Sequence, residues 1–184
     1  MMRTRLVLVF LLVAVAVSLA QNSPSKKTPA DVMREIRLKI LATPPSQMNR
    51  KPTDEYPHVD EIIMDWPIED STISVMASSA GDGSIYTTSN FGVFGGINYQ
   101  NVRNEAKKFV KLGEKYYSEA APTKDYPYPQ NGHVRFYLIC YDGVRVIDAE
   151  VNFVSKQNAK YSDLFAEAQR MIGELRQIAQ EQKK

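Results

Sequence analysis

The sequence predicts an α+β fold, a two-layer sandwich in which helices pack on an antiparallel sheet of about five strands. Two hairpin patterns and the helices that follow them carry this reading. Residues 72–91 (TISVMASSA-GDG-SIYTTSNF) and 133–154 (HVRFYLICY-DG-VRVIDAEVNFV) each place strand-like segments around a glycine-containing turn signal. A stretch with apolar residues at helical spacing follows each of them, at 102–117 and 162–180. With one more helix and one more strand ahead of them, the order is α-β-ββ-α-ββ-α. Consecutive hairpins then join in one antiparallel sheet.

The first twenty residues have the form of a secretory signal. Arg3 and Arg5 precede a nearly unbroken apolar run at 6–17, and Ser18, Leu19 and Ala20 place small residues before the expected cleavage after Ala20. The run is shorter than the roughly 20 residues that a spanning helix needs. Gln21, not cysteine, follows the cleavage site, so a lipoprotein anchor has no thiol to use. The expected location is therefore the periplasm or the exterior; retention of the segment would instead make a membrane-tethered periplasmic domain, the one case with membrane contact. Residues 21–27 (QNSPSKK) read as a disordered linker, 28–180 as a single α+β domain and 181–184 as a frayed tail.

The chain carries 23 Lys and Arg against 21 Asp and Glu. Two of the basic residues belong to the signal, so the exported part is neutral. Neutrality argues against nucleic acid as a partner, because general nucleic-acid binders carry a strong positive excess. Export permits disulfides, yet Cys140 is the only cysteine, so no internal bridge can form and the core alone must hold the fold.

Thr28 as N-cap, Pro29 at the first helical position and Asp31 in the first turn start a helix that runs to about Ala42, where Pro44 and Pro45 end it. Met33, Ile36, Leu38, Ile40 and Leu41 give this helix its apolar side. Residues 46–58 read as a loop. Residues 61–66 (EIIMDW) read as a strand stopped by Pro67, with Ile62, Met64 and Trp66 on one face and Glu61, Ile63 and Asp65 on the other.

In the first hairpin, a three-residue loop Gly81-Asp82-Gly83 sets Ala80 opposite Ser84 and gathers Ile73, Val75, Ala77, Ile85, Thr87 and Phe91 on one face. A two-residue loop mixes apolar and polar groups, so the longer loop is favoured, with Gly83 at positive φ. In the second hairpin, Asp142-Gly143 as the turn gathers Val134, Phe136, Leu138 and Cys140 with Ile147, Ala149 and Val151. It also sets Arg135 opposite Glu150 and Tyr137 opposite Asp148. Between the hairpins, Val102, Ala106, Phe109, Val110, Gly113 and Tyr117 form one helical face, with Asn98 or Asn101 as its cap. In the last helix, which Ser162 caps, Leu164, Ala168, Met171, Ile172, Leu175 and Ala179 form the apolar stripe.

The layout is similar to profilin-like and roadblock-like domains. Ser84-Ile85-Tyr86-Thr87-Thr88-Ser89, followed by Gly92, Gly95, Gly96 and Val102, also resembles an uncharacterised bacterial family in which a DG turn, an S-L-Y strand and a glycine-rich bend precede a helix. The resemblance spans about residues 61–178. It implies binding, sensing or assembly more than catalysis, and it brings no catalytic residues.

The chemistry in the sequence is sparse. Cys140 lies in FYLICY on the expected core face, which suits a small buried hydrophobe rather than a nucleophile. His58 and His133 are the only histidines and have no ligand spacing around them, so neither a metal nor a cofactor is expected. Tyr126-Pro127-Tyr128-Pro129 reads as a surface loop whose tyrosines pack on the domain. Residues 54–70 hold seven carboxylates and no Lys or Arg, a solvated acidic edge or a partner for basic residues. An exported hydrolase built from carboxylates, tyrosines and histidines is the alternative to a non-catalytic binding or assembly module.

The candidate binding residues are Arg103, Lys107, Lys111 and Lys115, with Gly95 and Gly96 at the preceding bend. A spacing of four places the cations on one ridge of the helix, where like charges repel and call for a compensating partner. The glycine bend could add backbone N–H donors for an anion. The compensating charge is expected from residues 54–70, in the same subunit or in a second copy of the chain; an external polyanion or an envelope protein is the other source.

Overall fold

The computed structural model describes residues 27–89 and 91–181. The expected signal at 1–20 lies outside the described residues, as do all of the linker but Lys27 and all of the tail but Glu181. Among the described residues, no helix is long and apolar enough to cross a membrane.

The fold is mixed α and β, but its sheet has seven strands instead of five. In chain order the elements are α1 (Pro29–Ala42), β1 (Val59–Ile68), β2 (Ser71–Ser78), β3 (Gly83–Thr87), β4 (Gly92–Val93), α2 (Gln100–Tyr116), β5 (Ala121–Thr123), β6 (His133–Cys140), β7 (Gly143–Glu150), the short α3 (Val151–Val154) and α4 (Ser162–Glu181). Short 3-10 turns lie at Pro45–Met48 and Gly96–Asn98. The strands run in the order β4-β3-β2-β1-β6-β7-β5, every neighbour antiparallel. The two extra strands, β4 and β5, are too short to show a period in sequence, and they cover the two edges of the sheet. Short edge strands leave little backbone open to pairing with another chain.

One face of the sheet packs against α2 and α4. Ile62, Met64, Val75, Ala77, Ile85, Val134, Phe136, Leu138, Cys140 and Ile147 meet Val102, Ala106, Phe109 and Val110 of α2, and Leu164, Ala168, Met171 and Leu175 of α4. These are the faces that periodicity predicts, with Tyr116 buried in place of Tyr117 and with Phe165 and Ile178 added to the α4 stripe. The N-cap of α2 is Tyr99, with no side-chain cap bond, so neither Asn98 nor Asn101 serves. Thr28 and Asp31 close a complete capping box at the start of α1, as expected.

The other face is covered too, so the two-layer expectation falls short. Leu41 of α1 joins Ile63, Met76, Tyr137 and Ile139, with Tyr126 packed against them. Arg37, not an apolar residue, is the other buried side chain of α1, whereas Leu38 is exposed. Its Nε donates to Asp65 Oδ2 at 2.8 Å and its Nη1 to the Tyr126 carbonyl at 2.8 Å, while Ser74 Oγ donates to Asp65 Oδ1 at 2.5 Å. The Arg37 guanidinium lies 4.3 Å from the centre of the Tyr128 ring. The YPYP segment thus closes over the ion pair with its tyrosines turned onto the domain, as expected for a packed loop.

Both hairpins keep their predicted faces but shift in register. Ala77 faces Gly83, so the first loop is longer than three residues; Cys140 faces Gly143, so the second turn is Tyr141-Asp142. Arg135 consequently faces Asp148 instead of Glu150, and its Nε donates to Asp148 at 2.5 Å, while Tyr137 faces Val146. The positive φ of the first loop belongs to Gly81 (φ 90°), not Gly83. Gly83 is a strand residue for a different reason: a Cβ there would lie 2.8 Å from Val102 and 2.9 Å from Met171, where α2 and α4 press onto the sheet. Pro67 does not stop β1, which continues to Ile68.

Candidate functional site

The structure does not gather the predicted site residues at one point: Gly95 and Gly96 precede α2, and the four cations run from its first turn to its last. Gly95 adopts positive φ (77°) and leads into the 3-10 turn. Gly96 is buried, and a Cβ there would lie 2.5 Å from the Gly83 carbonyl oxygen. It is a glycine because the backbone passes directly over β3. One N–H of the bend already meets an anion within the chain: Asp82 Oδ1 accepts from Ile97 N at 3.2 Å, and also from Gly83 N of β3 at 2.9 Å. Gly95 and Gly96 therefore shape the bend, the Asp82 carboxylate takes the Ile97 N–H, and the Asn98 and Tyr99 N–H groups close the 3-10 turn on the Gly95 and Gly96 carbonyls.

The ridge is present along α2, and its four cations differ in what they meet. Lys115 pairs with Asp163 of α4 at 2.8 Å. Lys111 Nζ donates to the backbone carbonyl of Glu55 at 2.7 Å, and Arg103 donates to the Ile97 carbonyl and to Gln100 Oε1. Lys107 has no side-chain partner among the described residues. Arg103 and Lys111 thus donate to neutral oxygens, and no carboxylate among the described residues forms an ion pair with Arg103, Lys107 or Lys111.

The acidic stretch does pass the ridge, since Glu55 meets Lys111 through its backbone carbonyl and Asp54 and Glu55 line one hollow with Lys107. Its carboxylates were expected at a solvated edge or against basic residues, and three of them turn inward to find basic partners elsewhere. Asp65 goes to Arg37. Asp60 and Glu61 both accept from Arg50 Nη1, at 2.9 and 2.6 Å. A register shift in the β1–β6 pairing between Val59 and Glu61 marks a bulge, which lets successive carboxylates reach one guanidinium. Burial raises the Glu61 carboxyl above its ordinary range, with Arg50 opposing. Ser79 Oγ also donates to Asp60, at 2.7 Å. Sequence reasoning missed Arg50 and Arg37 because nothing local marks their partners.

Beside the unpaired Lys107 lies an open depression of about 550 Å³, lined by Arg50, Lys51, Asp54, Tyr56, Ser79 and Tyr141 among others. Asp60 and Glu55 line it as well, and Lys107 is the ridge residue that borders it. A second hollow, of about 500 Å³, lies between the C-terminal end of α1 and β5, floored by Leu41, Ile139 and Val144.

The histidines stand apart from these features. His58 Nδ1 is 3.1 Å from Glu114 Oε2 and its ring stacks on Tyr117 at 4.2 Å, while the backbone N–H groups of His58 and Val59 donate to Glu114 Oε1. Glu114 thereby fastens the start of β1 to α2. His133 Nδ1 lies 2.5 Å from Asp148. Cys140 is buried, and burial pushes its thiol up to about 12. A thiol held that far above neutrality is a poor nucleophile.

Comparisons of the chain with protein-family models, with curated proteins and with solved structures find no match. None of these comparisons supports the expected resemblance to profilin-like and roadblock-like domains or to an uncharacterised bacterial family.

Proposed function

We propose that the chain is an exported binding or assembly module that takes an acidic segment of an envelope protein on the α2 ridge and the depression beside it. The observation that carries this reading is the run Arg103, Lys107, Lys111, three cations on one ridge with which no carboxylate among the described residues forms an ion pair. Such a row repels itself along the helix, and an acidic segment relieves the repulsion. Electrostatic complementarity of this kind speeds association and selects partners more than it adds affinity. The depression, which Lys51 also lines, gives the segment a place to lie beside the ridge.

Polyglutamate is the probe for this reading. Labelled polyglutamate binds the exported protein in a salt-sensitive way, and Lys107→Glu with Lys111→Glu lowers its affinity by roughly tenfold or more while the melting temperature holds. Equal affinity of the folded double variant and the wild type would sink the reading.

A further inference from the structure

The α2–α4 interface holds a pair of carboxylates that the ridge does not use. Glu105 projects from α2 and Glu167 from α4, and Glu167 is only 3% exposed. Each uses one oxygen on a cation. Glu105 Oε1 accepts from Lys108 Nζ at 2.6 Å, and Glu167 Oε2 accepts from Arg170 at 2.6 and 3.0 Å. The remaining oxygens, Glu105 Oε2 and Glu167 Oε1, are buried with no hydrogen-bond donor among the described residues. Two buried acceptors without a donor are costly, and two ionised carboxylates sharing a site repel. One proton resolves both problems, because a carboxyl O–H donates to the facing carboxylate.

We propose that Glu105 and Glu167 hold one proton between them and act as a pH-sensitive clasp joining α2 to α4. The charges that act on the pair are Lys108 from α2 and Arg170 from α4, the latter also 3.9 Å from Glu105. The sheet face beneath these helices is apolar, with Val75, Ala77 and Ile85 in the same core. Burial, and then the hydrogen bond to Glu105, push Glu167 up to about 7, whereas accepting that bond holds Glu105 below its ordinary range. The sign follows from the raised group. Its contribution to stability is complete below the unfolded carboxyl range and is lost as pH rises through about 7. The clasp is closed in mildly acidic surroundings and loosens above neutrality. Because α2 also carries the cationic ridge, loosening acts on the helix that meets the partner.

The direct test is a carbon-13 titration of the glutamate side-chain carboxyl groups in the folded exported protein. Glu167 is expected to titrate near neutrality and Glu105 well below it, each transition sensing the other. The second measurement is melting temperature against pH for wild type and Glu167→Gln, whose amide donates as the shared proton does. Wild type is expected to lose several degrees between mildly acidic and mildly alkaline pH, and Glu167→Gln to lose most of that dependence. Ordinary titration of both carboxyls, or the same slope in both proteins, would overturn the proposal. The test reads no partner, so its failure and that of the binding reading are separable.

Discussion

Arg37 decides how the second face of the sheet closes. A buried arginine on a helix is tolerated only with its charge met and its donors used, and Asp65, Tyr126 and Tyr128 meet those needs. Breaking such a pair strands the surviving charge, which typically costs about 3–5 kcal/mol, while an apolar replacement of both partners is far milder. Asp65→Asn should therefore be strongly destabilising in urea unfolding, and Arg37→Met with Asp65→Leu should recover much of the loss. A single variant within about 1 kcal/mol of wild type would contradict this account of the second face. The faces of Leu41, Ile63 and Asp65 were legible in sequence, but the burial of Arg37 was not. The helix offered several apolar residues for burial, and the true anchor is a cation whose partner lies on a distant strand. Cys140 and the YPYP tyrosines were legible because local pattern decides their burial.

At the scale of the elements, parity was readable and loop length was not. A strand pattern with period two assigns faces, and sliding a hairpin by an even number of residues leaves every side chain on its face. This is why the core faces of both hairpins were read correctly while the pairings Ala77–Gly83 and Cys140–Gly143 were not. Glycines were misread for a related reason: a glycine needed for φ and one needed for close approach look alike in sequence. Their variants separate the two roles. A Cβ at Gly96 would lie 2.5 Å from the Gly83 carbonyl oxygen, whereas one at Gly173, within α4, meets nothing within 4 Å. Gly96→Ala should lower stability by roughly 1–3 kcal/mol through overpacking. Gly173→Ala should raise it by roughly 0.5–1 kcal/mol, the helix-propensity gain of alanine over glycine. Unfolding midpoints that move in the same direction for both variants would contradict the packing of the bend onto β3.

Taken as one molecule, the chain places its covered surfaces and its unmet charge at different points. The two sheet faces are closed, one by α2 and α4 and the other by α1 and the YPYP segment. The acidic stretch, the counterpart that the sequence predicts for the α2 ridge, spends Asp60, Glu61 and Asp65 on Arg50 and Arg37. The ridge was legible as a spacing of four. What it faces was not, because that depends on a bulge and on two arginines far from it in sequence. The central claim is that the molecule meets its partner along this ridge. Backbone amide shifts recorded while polyglutamate is added to the protein test it most directly. The account predicts that the perturbed residues cluster at 50–56, 79–82 and 103–111; shifts confined to the hollow beside α1, or spread evenly over the surface, would contradict it.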